Sequence, residues 1–202
     1  MSTAGLVSLL QTRKLRIFTT RDILSFTDMA PSAVTQSLFR LEKQKILARI
    51  KRGLWVNRLV ERLNPYEAVP FLVSPWPAYV SLHTALADYG IIAEVPHIIT
   101  AVTSYLPKNY TTPLGSFHFH HLPKQFIWGY EVKPFGQGSY PIAEPEKAFL
   151  DLVYLSLAPR SPIQMAHKRS RKWKIKKEKL KAYAARFKYP PLTKYLRQAG
   201  LI

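Results

Sequence analysis

The stretch from Thr19 to Asn57 constrains the fold most strongly, because its apolar residues follow a helical period, stop, and then follow it again. Residues 21–26 predict a short helix with Thr20 as its N-cap. Its inward side chains are expected to be Ile23, Leu24 and Phe26. The segment 28–31, Asp-Met-Ala-Pro, interrupts this pattern, since proline does not continue a helix. Ser32 is the expected N-cap of a second helix. Its buried stripe, at spacings of four and three residues, is Val34, Leu38 and Leu41.

The opposite face of the second helix is short, polar and basic, which suits a helix that enters the major groove of DNA. Its members are Ser32, Ala33, Thr35, Gln36, Phe39, Arg40 and Lys43. Residues 46–57 predict a two-stranded hairpin whose turn, Lys51-Arg52-Gly53, is suited to lie on the sugar-phosphate backbone. We therefore predict a winged helix-turn-helix. Its expected DNA contacts are Thr20, Arg21, Ser32, Thr35, Gln36, Arg40, Lys43, Arg49, Lys51 and Arg52. The alternative is a small helical bundle with a hairpin whose charges are merely solvated.

The charge of the chain is large and unevenly distributed. The formal net charge is +18 and the sequence pI is near 10.2, which points to an extended anionic partner. Residues 11–58 carry 11 Lys+Arg against 3 Asp+Glu, and residues 166–188 carry 11 against 1. Residues 64–158 carry only 4 against 7, so the cationic character belongs to the two ends.

The second basic run predicts a further nucleic-acid surface, because like charges at this density repel one another unless a counter-anion is bound. Its expected DNA contacts are Lys168, Arg169, Arg171, Lys172 and Lys174. The alternative is a helix with a dry inner side and a solvated basic outer side.

Cysteine and long apolar runs are both missing from the sequence. Without cysteine, neither a disulfide framework nor a cysteine-based zinc site is possible. No apolar run approaches the ~20 residues that span a bilayer. The first residues also lack the order of charged and then apolar residues that a signal peptide has. We therefore expect a cytoplasmic protein with no membrane partner.

The remaining pattern predicts an α+β protein with two domains, residues 1–63 and 64–202. A first helix over residues 3–14 completes the core of the N-terminal domain. The second domain is expected to be mixed α/β and to end in basic helices. Its expected helices cover 79–89, 144–157, a segment from 175 onward, and 191–198. Its expected strands cover 97–103, 116–122, 126–133 and 139–142, with the second and third paired across Pro123-Lys124-Gln125.

Two motifs invite a catalytic or metal-binding interpretation. His118, His120 and His121 share a predicted strand but have no carboxylate close in sequence, so a solvent-facing strip is the preferred interpretation. Glu131-Val132-Lys133 resembles the carboxylate and lysine of metal-dependent nucleases. Such a site needs a further acid, for which the nearby candidates are Asp88 and Glu94. We therefore predict no catalytic residues, no metal site, no cofactor and no enzymatic activity.

Three phrases together resemble a known family. They are FTTRDIL with PSAVTQSLFRLEKQKILARIKRGLWV, YVSLHTALADYGI with PHIITAVTS, and IAEPEKAFLDLVYL. In this order they resemble the AbiEi-type antitoxins of type IV toxin–antitoxin (abortive infection) systems over most of the chain. The chain departs from this resemblance at Lys45, where such winged helices commonly have a glycine. The basic run from Lys168 to Lys188 is also denser than the resemblance implies.

The resemblance implies a winged-helix N-terminal domain and a C-terminal α/β antitoxin domain. It implies a transcriptional regulator that represses its own operon by binding double-stranded DNA repeats upstream. It also implies that the protein counteracts a nucleotidyltransferase-like toxin, with or without a stable complex. By position, Thr35, Gln36 and Arg40 match the recognition helix, and Lys51 and Arg52 match the wing tip. A metal-dependent nuclease and an RNA-binding basic protein are the alternatives.

Overall fold

A computed structural model describes residues 3–93, 96–159, 161–165 and 175–202. It contains helices together with two β-sheets, which confirms the predicted α+β class. The first part of the chain forms α1 (Thr3–Thr12), β1 (Ile17–Thr19), α2 (Thr20–Ser25), α3 (Pro31–Lys43), β2 (Leu47–Lys51) and β3 (Leu54–Asn57). Within the described ranges, no helix is both long and apolar enough to cross a lipid bilayer.

The three N-terminal helices bury their apolar stripes against one face of a small antiparallel sheet with the strand order β1-β3-β2. The helical period explains this packing, because the residues of each stripe lie on one side of their helix. This core consists of Leu6, Leu10, Phe18, Ile23, Val34, Leu38, Leu41, Leu47 and Trp55. Phe26, which was expected inside, is instead exposed under the guanidinium of Arg13.

Two predicted helix caps are wrong by one or two residues. The N-cap of α2 is Thr19, whose hydroxyl accepts from the Asp22 N–H at 3.2 Å while the Asp22 carboxylate accepts from the Thr19 N–H at 2.6 Å. This reciprocal capping box outcompetes Thr20, since Thr20 has no carboxylate three residues later. The N-cap of α3 is Ala30, with Pro31 at the first helical position, so Ser32 lies inside the first turn.

Lys45 ends α3 in the left-handed region, with φ of 61°. Its N–H donates to the Glu42 carbonyl at 2.9 Å, and the Ile46 N–H donates to the Leu41 carbonyl at 3.0 Å. This pair of bonds is a Schellman motif, in which glycine is the usual residue at the left-handed position. The helix therefore ends at the expected place despite the missing glycine.

The rest of the chain builds a six-stranded mixed sheet with the order β6-β7-β5-β4-β9-β8. Its strands are β4 (Ala78–Val80), β5 (Ile98–Thr103), β6 (Lys108–Thr112), β7 (Gly115–His121), β8 (Tyr130–Phe135) and β9 (Gly138–Ala143). Its helices are α4 (Val69–Leu72), α5 (Leu82–Asp88), α6 (Pro145–Leu157), α7 (Lys177–Phe187) and α8 (Pro190–Gln198). Short 3₁₀ turns cover Pro65–Ala68 and Lys124–Phe126. The central helix is α6, which packs against α5, α7 and α8.

The predicted strand pairing in this sheet is wrong. Residues 124–126 form a 3₁₀ turn, and β8 pairs with β9 rather than with β7. Instead, β7 lies between β6 and β5, antiparallel to the first and parallel to the second. Two strands, β4 and β6, were not predicted at all. Tyr79 belongs to β4 and not to the following helix.

A fully buried ionic network joins α6 to β4. The Lys147 ammonium pairs with the Asp151 carboxylate one turn along the helix and also donates to the Tyr79 hydroxyl at 2.8 Å. The Ser81 hydroxyl donates to Asp151 at 2.8 Å. Burial lowers the pKa of Lys147 and raises the pKa of Asp151, while their mutual attraction opposes both shifts. Both charges are satisfied internally, so the network holds helix and sheet together.

The small sheet contributes to both parts of the structure. Its second face joins the core of the larger sheet through Ile17, Ala48, Ile50, Leu54 and Val56. Beside it, the Arg16 guanidinium makes two bonds to the Glu67 carboxylate, at 2.7 and 2.8 Å. The division between residues 63 and 64 stays a prediction. Apolar packing continues across it, from the small sheet into the core of the larger sheet.

Candidate nucleic-acid interface

The outer face of α3 carries exposed polar and basic side chains. Four of the predicted contact residues, Ser32, Gln36, Arg40 and Lys43, are exposed there. Thr35 is half-buried, and its hydroxyl donates to the Pro31 carbonyl at 2.8 Å. The Thr35 oxygen therefore keeps only its acceptor capacity for an outside group.

The beginning of α3 is open to an anion. No side chain caps this 13-residue helix, and Pro31 lacks an N–H. The N–H groups of Ser32 and Ala33 precede the first helical bond, which runs from the Val34 N–H to the Ala30 carbonyl at 3.1 Å. Free N–H groups at the positive end of a helix dipole favour a phosphate oxygen.

An aromatic contact fixes the hairpin against α3. The ring of Phe39 meets the buried Trp55 of β3 edge to face, with ring centroids 5.5 Å apart. The guanidinium of Arg49, on β2, lies 5.4 Å from the Phe39 centroid. Arg49 is thereby held beside the outer face of α3 and shares its surface.

Of the two predicted contact residues on α2, only Arg21 is exposed. Thr20 is half-buried and forms hydrogen bonds to the hairpin. Its hydroxyl accepts from the Trp55 indole N–H at 2.9 Å, and its own N–H donates to the Gly53 carbonyl at 2.9 Å. These two bonds give Thr20 a structural role in holding the hairpin, and its contact with DNA stays a prediction.

The hairpin tip differs from the prediction at Lys51. Arg52 is exposed beside Gly53, whose φ of +74° makes the turn. Lys51 is half-buried and points to the larger sheet, where its ammonium donates to the Leu72 carbonyl at 2.7 Å and lies 5.9 Å from the Tyr110 ring centroid. Burial lowers the pKa of Lys51, and the nearby Lys108 lowers this pKa further. Lys51 is therefore not part of the surface formed by α3 and the hairpin.

The corrected surface, which we call the α3 surface, is rich in cations without acidic partners. Its exposed cations are Arg21, Arg40, Lys43, Arg49 and Arg52. Among the described residues, none of them lies within 4 Å of a carboxylate oxygen.

Several acidic side chains of residues 64–159 form ion pairs within the described structure. Glu67 pairs with Arg16, Asp88 pairs with Lys133, Asp151 pairs with Lys147, and Glu144 pairs with Lys179. The positive charge of the α3 surface is thus left for an outside anion.

A second basic concavity lies between α7 and α8. It has a volume of about 530 Å³. Small residues, Ala184 and Ala185, form part of its lining, and no carboxylate lines it. Its cations are Lys188, Lys194 and Arg197. The predicted contacts Lys168, Arg169, Arg171, Lys172 and Lys174 lie outside the described residues.

The charged residues of the Glu131-Val132-Lys133 motif make internal contacts. Lys133 pairs with Asp88 at 2.8 Å, Glu131 accepts from the Tyr89 hydroxyl at 3.2 Å, and Glu94 lies outside the described residues. His118 and His120 are half-buried on β7. In the part of the chain that the structure describes, no three histidine or carboxylate side chains are grouped to hold a metal ion.

Sequence reasoning missed the cations that the fold brings to these surfaces from distant positions. Lys108 meets Lys51 only because β6 lies beside β2. Lys188, Lys194 and Arg197 were within or near the basic run, but their convergence depends on the angle between α7 and α8. The one available signal was the lack of acidic residues after Glu178. In comparisons with known proteins, the chain matches no protein-family model and no curated protein.

Proposed function

We propose that this protein binds double-stranded DNA in a sequence-specific manner, with residues 3–57 acting as a winged helix-turn-helix. The observation that carries the proposal is the α3 surface. There, an uncapped helix carries exposed Gln36 and Arg40, and Phe39 of the same helix holds the unpaired hairpin cation Arg49 beside it. Such a combination meets both requirements of DNA recognition, which are phosphate neutralisation and base readout.

In this proposal α3 enters the major groove with its first turns. Gln36 suits a bidentate contact to adenine, and Arg40 suits one to guanine. The N–H groups of Ser32 and Ala33 receive a phosphate at the helix start. Arg49 and Arg52 follow the neighbouring backbone from the hairpin, and Arg21 does so from α2. Base contacts by Gln36 and Arg40 set specificity, while the other contacts set affinity and orientation.

The biological role that we propose follows from the resemblance of the sequence to AbiEi-type antitoxins. The protein represses its own operon by binding repeats upstream of it. It also counteracts a nucleotidyltransferase-like toxin encoded beside it. The larger sheet and its helices, residues 64–202, serve as the antitoxin domain in this proposal.

DNA binding is tested by fluorescence anisotropy on duplexes from the upstream region and on random duplexes. Arg40→Ala should weaken operator binding by about 5- to 150-fold and random-duplex binding much less, because a bidentate base contact is worth ~1–3 kcal/mol of discrimination. Arg52→Ala should weaken both alike. Lys124→Gln, an exposed lysine on the larger part of the structure, is the matched control. Equal losses on both duplexes for Arg40→Ala contradict the assignment of α3.

The antitoxin role is tested in growing cells. Expression of the neighbouring nucleotidyltransferase-like reading frame should stop growth, and co-expression of this protein should restore it. Arg40→Ala should impair repression of a reporter but still restore growth, since the two roles belong to different parts of the chain. A neighbouring frame that is harmless, or toxicity that this protein does not relieve, rejects the antitoxin role and leaves DNA binding standing.

A further inference from the structure

Two exposed aromatic rings are stacked on the larger part of the structure, away from any apolar core. Trp76 is 47% exposed and Tyr105 is 38% exposed. Their ring planes differ by 15°, and their centroids lie 5.5 Å apart. The adjacent Leu106 is 66% exposed. Side chains of this size are normally buried, so their joint exposure marks a surface for a ligand.

The two loops that carry these rings are held in place by buried and half-buried polar groups. The Thr103 hydroxyl donates to the Pro77 carbonyl at 2.9 Å and accepts from the Tyr105 N–H at 3.2 Å. The His121 imidazole also contacts the Tyr105 carbonyl at 2.9 Å. One hydroxyl thus ties the Trp76 loop to the Tyr105 loop. An aromatic pair fixed in this way loses little conformational entropy when it binds a flat group.

Two cations converge on a third aromatic ring nearby. The Lys51 and Lys108 ammonium groups lie 5.9 and 5.2 Å from the Tyr110 centroid. Among the described residues, no carboxylate oxygen lies within 4 Å of either. Two like charges against one ring repel each other, and a bound anion relieves this repulsion. The pair has the chemistry of a phosphate site.

Chain connectivity keeps the cation pair close to the aromatic pair. Tyr105 is three residues before Lys108, so at most about 11 Å of extended chain separates their Cα atoms. Leu72, whose carbonyl accepts from Lys51, is four residues before Trp76. The loops that carry the stacked rings are therefore short chain neighbours of the residues that hold the two cations, at the margin where the hairpin meets β6 and the end of α4.

We infer that this margin binds a single-stranded polynucleotide, with a base stacked on Trp76 and Tyr105 and a neighbouring phosphate between Lys51 and Lys108. Aromatic faces beside unpaired cations are the arrangement that unpaired nucleic acid requires, because stacking needs a base that is free of its complement. A purely apolar partner would leave the two cations uncompensated. The inference does not depend on duplex binding by α3, since it uses none of the residues of that surface.

The test uses the full-length protein and fluorescein-labelled oligouridylate and oligothymidylate of about 12 nucleotides, a length within the range of known single-strand sites. Anisotropy should show binding by the wild type, and comparison of the two oligomers tells RNA from DNA. Trp76→Ala and Tyr105→Ala should each weaken binding by about 5- to 150-fold, as loss of a stacking ring does. Lys108→Gln should weaken binding and reduce its salt dependence.

Phe135→Ala, which removes an exposed ring on β8, is the matched control and should leave oligonucleotide binding unchanged. Trp76→Phe keeps an aromatic ring and should keep most of the affinity. This variant therefore separates loss of the stacking ring from a general loss of folding. Operator-duplex binding by Trp76→Ala should equal that of the wild type. The single-strand inference can therefore be rejected without rejecting duplex binding by the α3 surface.

Three results overturn the inference. The first is no oligonucleotide binding by the wild type. The second is equal binding by the wild type, Trp76→Ala and Tyr105→Ala. The third is a monomer–dimer equilibrium, measured by sedimentation velocity, that Trp76→Ala abolishes while oligonucleotide binding persists. That last outcome assigns the aromatic pair to contact between two copies of the chain.

Discussion

The backbone of Lys45 lies in the left-handed region. This conformation is unfavourable for lysine, because its Cβ approaches the following carbonyl. Lys45→Gly removes this strain but gives the unfolded chain more freedom. We expect a net gain of about 0.5–1 kcal/mol in the free energy of unfolding. Urea denaturation measures it. Lys45→Ala keeps the strain and should change stability little. A destabilised glycine variant would mean that the lysine side chain itself supports the helix end.

Titration of His120 should change the free energy of unfolding. Burial, followed by the neighbouring His118 and His83, lowers the pKa of His120 from 6.5 to about 4. Between these values the unfolded chain binds a proton that the folded protein does not, so stability falls as the pH falls. The expected loss from His120 between pH 7.5 and pH 5 is about 2 kcal/mol.

The measurement is a pair of urea titrations at the two pH values, for the wild type and for His120→Gln. Histidines distant from His120 contribute equally to both proteins, so the difference between the proteins reports His120 together with its coupling to His118 and His83. The glutamine variant should lose about 2 kcal/mol less between pH 7.5 and pH 5. Parallel losses would show that His120 is protonated in the folded protein well above pH 4.

Helical period placed most of the predicted α3 contacts at exposed positions, whereas Thr20 and Lys51 are half-buried. Gln36 and Arg40 are exposed because they lie opposite the stripe of Val34, Leu38 and Leu41. Strand alternation puts Lys51 on the same side as Arg49. The register of β2 shifts between these two residues, and this irregularity turns Lys51 to the other side. The shift depends on the partner strand, so alternation within β2 alone could not reveal it.

At the scale of elements, local signals predicted most helices and failed on the sheet order. Gly90 and Gly200 end α5 and α8 in left-handed conformations, as glycine suggests. By contrast, β6 (Lys108–Thr112) is an edge strand whose residues are mostly exposed, so it has no apolar alternation to detect. The parallel pairs β5–β7 and β4–β9 join strands that are distant in sequence, and local reasoning defaults to neighbouring strands.

The contact between β9 and the Arg16–Glu67 pair makes Gly138 the most restrictive position in this part of the fold. A Cβ at Gly138 would lie 2.6 Å from Arg16 Nε and closer still to Glu67 Oε2. Gly138→Ala should therefore displace a largely buried, bidentate ion pair, whose side chains are 10% and 5% exposed. We expect a loss of about 1–3 kcal/mol in the free energy of unfolding, as for other overpacked sites.

A double-mutant cycle with Arg16→Ala tests the cause of that loss. The Gly138→Ala substitution should cost less when the guanidinium is already absent, because contacting residues are not additive. Ser139→Ala, at an exposed position on the same strand, is the control for strand propensity. Equal costs in both backgrounds would assign the loss to the backbone of β9 and not to the ion pair.

At the scale of the whole molecule, the chain has a formal net charge of +18, and several of its few acidic residues form internal ion pairs. The Arg16–Glu67, Lys133–Asp88 and Lys147–Asp151 pairs stabilise the fold or join its parts. The α3 surface and the α7–α8 concavity keep cations without acidic neighbours among the described residues. Charge arranged in this way weakens the compact state by self-repulsion, which a bound polyanion relieves.

The salt dependence of duplex binding should reveal whether both basic surfaces follow one DNA molecule. If each exposed cation of the α3 surface except Arg40, which contacts a base, neutralises one phosphate, the slope of log affinity against log salt is about −3 to −4. Contacts by Lys188, Lys194 and Arg197 would add about −3, giving a loss of about a thousandfold or more between 50 and 200 mM salt. We expect the steeper slope.

A variant with glutamine at Lys188, Lys194 and Arg197 should return the slope to about −3 to −4 while keeping sequence preference, because phosphate contacts carry no base information. The matched control replaces Lys14, Arg58 and Lys124, which removes the same charge from exposed sites outside both surfaces. Because the control variant and the glutamine variant have the same net charge, their comparison separates the effect of net charge from the effect of contact. Identical slopes for the wild type and the glutamine variant would show that the duplex reaches only the α3 surface.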